Sequence, residues 1–114
     1  MSTWTPICHT NSLSTERGAA ALVASDEGHH QVALFKLACG ELYAVGHRDP
    51  FSGANVMARG IVGNRGDVPT ITSPVYKQVF DLRTGEALDH PGVKLESWDS
   101  RDIDGVIHVR AIGA

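Results

Sequence analysis

The sequence predicts an all-β domain, an antiparallel β-sandwich or barrel, on three observations. Across residues 106–112, Ile107, Val109 and Ala111 fall on one face while His108 and Arg110 fall on the other, the period of a half-buried strand. Asp104-Gly105 immediately before it is a two-residue hairpin signal, because glycine tolerates positive φ; the partner strand is then about residues 95–103. Short apolar runs punctuated by Gly, Pro and Asp recur along the rest of the chain, the pattern of sandwiches and barrels.

The remaining elements follow in order. Residues 14–25 contain Ala19-Ala20-Ala21-Leu22, which also suits a helix capped by Ser14 or Thr15. Gly18 weakens that helix by roughly 1 kcal/mol relative to alanine, and a strand over residues 19–25 is favoured. Residues 31–37 are rich in Val, Leu and Phe, Cys39-Gly40 supplies a turn, and residues 42–45 return as a second hairpin. Residues 47–66 hold Gly53, Gly60, Gly63, Asn64 and Gly66 and read as a loop anchored by Met57, Ile61 and Val62. A structureless loop of about 20 residues is unusual in a small domain and is usually functional. Residues 70–72 read as a short strand stopped by Pro74, which cannot continue a ladder, and residues 73–77 as a Pro-containing bend. Residues 78–82, a turn at Arg83-Thr84-Gly85 and residues 86–88 make a third hairpin.

Length and composition narrow the function. The 114 residues, 42% hydrophobic and 20% charged, suit a single globular domain spanning 1–114 with a radius of gyration of about 13 Å. Ten basic residues against 13 acidic ones, a net charge of −3, provide no basic field for nucleic acid. Cys8 and Cys39 are too few for a disulfide framework and suit a reducing compartment. They also fall short of the four thiols of ordinary iron–sulfur clusters, leaving only a mixed Cys/His site open. The start, Met1-Ser2-Thr3-Trp4, lacks the basic region of a signal peptide, and the apolar run 18–24 is too short to span a bilayer. The expectation is a soluble cytoplasmic domain with no membrane partner.

Motifs for chemistry are sparse. Phe51-Ser52-Gly53 lacks the first glycine of a nucleophile elbow. The glycines of residues 60–66 lack the Gly-Lys-Ser/Thr ending of a phosphate loop and read as turn glycines at positive φ. His29-His30 are adjacent and would face opposite sides of a strand. His47 and Asp49, two apart, could share a side, yet no second ligand pair accompanies them. No residue is assigned a catalytic or metal-binding role.

Two loops carry a family resemblance. Asp49-Pro50-Phe51-Ser52-Gly53-Ala54 resembles the first cluster-binding loop of a Rieske ferredoxin, Cys-Pro-His-x-Gly-Ala. Ser73-Pro74-Val75-Tyr76-Lys77-Gln78-Val79-Phe80-Asp81 resembles the second, Cys-Pro-x-His-x-x-x-Phe-Asp. The likeness continues through Thr84-Gly85 and the Asp104-Gly105 hairpin. It implies a Rieske-like fold with two long loops at a vestigial cluster site, where Asp49 and Ser73 stand at the cysteine positions and Phe51 and Tyr76 at the histidine positions. A Rieske centre needs two thiolates and two imidazoles, so no cluster is expected. Adding Arg59-Gly60-Ile61-Val62-Gly63, Trp4 and Ala33-Leu34-Phe35, the chain resembles the small subunit of the NAD(P)H-dependent assimilatory nitrite reductase.

That resemblance implies a cytoplasmic accessory subunit without cofactors of its own. Its partner would be a large subunit carrying FAD, sirohaem and an iron–sulfur cluster, which reduces nitrite to ammonium. Phe51 is expected to fill vacated space, Tyr76 to pack its ring and hydrogen-bond through its hydroxyl, and Asp49 and Ser73 to accept bonds from loop amides. Arg48, Phe51, Arg59, Tyr76 and Lys77 are docking candidates, since Arg and aromatic side chains are enriched at interface hot spots. The alternatives are a Rieske-type electron-transfer ferredoxin or a small ligand- or metal-binding module using His47 and Asp49.

Overall fold

The computed structural model describes residues 4–25 and 28–111. Among the described residues nine strands run in chain order: β1 Thr5–His9, β2 Gly18–Ser25, β3 Gly28–Lys36, β4 Leu42–Gly46, β5 Ile61–Arg65, β6 Val68–Thr72, β7 Val79–Asp81, β8 Ser97–Ile103 and β9 Val106–Ala111. They form a six-stranded sheet in the order β1-β9-β8-β4-β3-β2 and a three-stranded sheet β5-β6-β7. Every strand pairing is antiparallel. The outer strands β1 and β2 come into contact, so the larger sheet nearly closes on itself. The radius of gyration is 13.1 Å, as expected for a compact chain of this length.

Two apolar clusters explain the pattern of β3. Val32 and Leu34 point into the curl of the large sheet with Leu13, Val23, Ala44, Trp98, Ile107 and Val109. Ala33 and Phe35 point the other way, onto Met57, Ile71, Phe80, Leu82 and Leu95 beneath the small sheet. A strand covered on both faces reads as a continuous apolar run rather than an alternation. Strand β2 has one covered face, formed by Ala19, Ala21 and Val23, and Leu22 opposite is 63% exposed. Its start is Gly18 because a Cβ there would lie 2.2 Å from the Ala58 carbonyl oxygen.

The expected hairpins at Cys39-Gly40, at residues 83–85 and at Asp104-Gly105 are present. Asp104 and Gly105 have φ of 53° and 82°, the two left-handed residues of a type I′ turn. Three expectations need correction. Residues 47–66 are not one loop: they contain a 3₁₀ turn, Met57–Arg59, and strand β5. Strand β5 is the exposed edge of its sheet, so only Val62 is half-buried, and Ile61, expected as an anchor, is 68% exposed. Of the glycines in residues 60–66, Gly66 alone has positive φ; Gly60 is instead held by close approach, with a Cβ there falling 2.5 Å from the Thr72 oxygen.

Candidate functional site

The loops that leave β4 and β6 meet at one end of the molecule. Each is a six-residue turn with the same bonding. In residues 49–54 the Asp49 amide donates to the Ala54 carbonyl at 2.8 Å, and the Asp49 carbonyl accepts from the Gly53 amide at 2.7 Å. The Asp49 carboxyl oxygen Oδ1 accepts from the Phe51 amide at 2.9 Å. In residues 73–78 the Ser73 amide donates to Gln78 at 2.9 Å, and the Ser73 carbonyl accepts from Lys77 at 3.1 Å. Its Oγ accepts from the Val75 amide at 3.3 Å. The second residue is proline in both loops, and the fifth is left-handed: Gly53 at φ 76° and Lys77 at φ 60°. Side-chain oxygens that accept from an amide two residues on are the usual Asx- and Ser-turn devices.

Residues 81–86 repeat the turn a third time. Asp81 donates to Glu86, accepts from Gly85, and takes the Arg83 amide on its Oδ1; Gly85 has φ 84°. Here the first side chain is satisfied within its own turn, by the Arg83 guanidinium at 3.1–3.2 Å. Burial opposes ionisation of Asp81, but the hydrogen bonds and charge of Arg83 outweigh it and hold the carboxyl below its ordinary range.

The first residues of the other two turns meet each other. Asp49 and Ser73 are both fully buried, and the Ser73 hydroxyl donates to Asp49 Oδ2 at 2.5 Å. Phe51 is half-buried over the core, its ring 5.9 Å from that of Phe80 and edge-on to His90 at 4.9 Å. The expected amide bonds to Asp49 and Ser73 are therefore present, and Phe51 packs inward. Tyr76 departs from expectation: it does not pack but stands 62% exposed beside the exposed Val75, because the fourth position of this turn is its tip. Arg48, Arg59 and Lys77 are exposed, Arg48 immediately before the first turn and Lys77 within the second.

His47 is buried and braces the loop. Its carbonyl accepts from the Val56 and Met57 amides, and its Nδ1 accepts from the Ala58 amide at 3.1 Å. Burial, and secondarily the charge of Arg59, lower its pKa. No group of three or more His, Cys, Asp or Glu placed to hold a metal ion exists among the described residues. The donor set does not suit a [2Fe–2S] centre either: two hard oxygens already bonded to each other, a phenyl ring, and an outward phenol replace two thiolates and two imidazoles. His90 against Phe51 was not foreseen, because nothing in the spacing of the chain connects them.

The nearly closed large sheet, the small sheet and the paired proline turns define a Rieske-like domain, and the profile of the Rieske-like [2Fe–2S] domain family matches residues 3–110. A solved structure assigned as an NADH-dependent nitrite reductase small subunit from Mycobacterium tuberculosis superposes with a TM-score of 0.90. It is 43% identical, covering 100% of this chain and 99% of that one. The nitrite reductase (NADH) small subunit of Escherichia coli is 30% identical over 96% of this chain and 99% of its own length. A nitrite reductase [NAD(P)H] large subunit of Klebsiella oxytoca is 32% identical over 93% of this chain, which spans 11% of that relative's length. The chain belongs to the nitrite reductase (NADH) small-subunit family.

Proposed function

We propose that this chain is a non-catalytic accessory subunit of a cytoplasmic NAD(P)H nitrite reductase of nitrate and nitrite assimilation. It carries no cluster and docks through its paired turns on a large subunit that holds FAD, sirohaem and an iron–sulfur cluster and reduces nitrite to ammonium. The observation that carries this reading is the Asp49–Ser73 contact, which occupies the place where the resemblance puts two thiolate ligands. The surface around it supports the docking half. Val75 and Tyr76 offer exposed apolar area, Lys77 follows them in the same turn, and Arg48, which precedes the other turn, and Arg59 are exposed cations. The sole acid within residues 47–60 and 73–78 is the buried Asp49. An acidic partner surface with an aromatic pocket fits this end. The Klebsiella large subunit supports proximity, since a segment like this chain is part of the same polypeptide there. No helix among the described residues is long and apolar enough to cross a membrane.

The test is co-purification of the large subunit with wild type and with Tyr76→Ala, Lys77→Glu and Arg59→Glu, alongside iron and sulfide analysis and a visible spectrum after anaerobic reconstitution. Weakened association and no iron are expected. Stoichiometric iron overturns the cluster-free half, and full association of every variant overturns the docking half.

A further inference from the structure

The three copies of the six-residue turn form an internal comparison. In residues 81–86 the leading aspartate is satisfied inside its own turn by Arg83, so this turn forms without any bond to another loop. In residues 49–54 the leading aspartate has no arginine or lysine partner among the described residues. Its second oxygen is spent instead on the hydroxyl that leads residues 73–78. The two residues are 24 apart in the chain and both lie at zero exposure. A buried carboxyl group without a donor is costly, so each loop supplies what the other requires.

We propose that the Asp49–Ser73 hydrogen bond is the cross-link that holds the two loops together in place of a metal, which makes Ser73 a positioning residue for the docking face. The bond joins the two turns at their first residues, and so sets the separation of Phe51 on one from Tyr76 on the other. A face ordered before association loses less conformational freedom on binding. The positioning half rests on the docking reading above; the cross-link does not.

Amide hydrogen exchange resolves the two. In Ser73→Ala, exchange at Gly53 and Lys77, whose amides bond to backbone carbonyls and not to the substituted side chains, is expected to rise by about tenfold, the factor matching the loss of one hydrogen bond. The amides of residues 81–86 should stay as in wild type, which also shows that the variant is folded. Asp49→Ala is expected to release the same amides, and the double variant no more than either single one. Asp49→Asn should retain protection, because its amide can donate to Ser73 Oγ while its oxygen still accepts from Phe51. Unchanged exchange in Ser73→Ala overturns the cross-link. Affinity for the purified large subunit is measured in parallel, and Ser73→Ala should lower it several-fold although Ser73 is buried. Released loops with unchanged affinity, while Tyr76→Ala weakens binding, overturn the positioning role. Full affinity in both variants overturns the docking reading instead.

Discussion

Truncating Phe51 measures how much the inward-packed ring contributes to the fold. Fully burying a phenylalanine contributes about 1.5–3 kcal/mol, and Phe51 is half-buried, so burial accounts for roughly half of that. Its ring also meets Phe80 at 5.9 Å and His90 at 4.9 Å in tilted and edge-on geometry. Such pairs add about 0.5–1.5 kcal/mol beyond area, the His90 contact less because it lies at the surface. Phe51→Ala should therefore cost about 2 kcal/mol, below the ~3–5 kcal/mol expected for Phe80→Ala, whose ring is fully buried. Urea denaturation followed by the fluorescence of the buried Trp98 reads both. A Phe51→Ala midpoint equal to wild type refutes the packing argument and leaves Phe51 as a surface contact. A cost equal to that of Phe80→Ala would show that the half-exposed ring is as deeply integrated as the core.

Tyr76→Ala should change stability by no more than about 0.5 kcal/mol, as exposed substitutions do, while weakening association with the large subunit in a pull-down. Lys77→Gly should raise the urea midpoint, because a left-handed non-glycine residue costs about 1–2 kcal/mol and the looser unfolded glycine returns only part of that. Gly85→Ala should lower it by more than about 1 kcal/mol, since φ is 84° and a Cβ would lie 2.5 Å from the Leu95 oxygen. For His47 the folded pKa lies below its ordinary value, so the unfolded chain binds more protons in the window between them. The His47 contribution is complete above about pH 6.5 and is lost as pH falls through the lowered folded value, with the Ala58 amide losing its acceptor. Melting curves across that range should show a downward slope that His47→Gln reduces.

Much of the architecture was legible because its signals are local. The hairpins at Cys39-Gly40 and Asp104-Gly105 follow from turn chemistry, and β3 from its apolar run, although its cover on both faces emerged only from the packing. Strand β5 was not legible: Gly63 and Asn64 are poor strand formers, and an edge strand has too few buried positions to alternate. Strand β1 was also absent from the sequence reading. It carries Pro6 and an irregular register between Pro6 and Cys8, features confined to edges.

The six-residue turns were determined by the sequence alone, since each is closed by bonds between residues no more than five apart and two of the three carry a proline at the second place. So was the lack of thiol and imidazole at residues 49, 51, 73 and 76, read directly from the chain. Which loop side chains turn inward was decided by the tertiary structure. Phe51 finds Phe80 and His90 beneath it, while Tyr76 sits at a tip over nothing. The bond between Asp49 and Ser73 exists because β4 and β6, in different sheets, deliver their ends to the same place. Local hydrogen bonding can specify a turn, but a buried carboxyl group acquires its donor from another loop only after the sheets have packed.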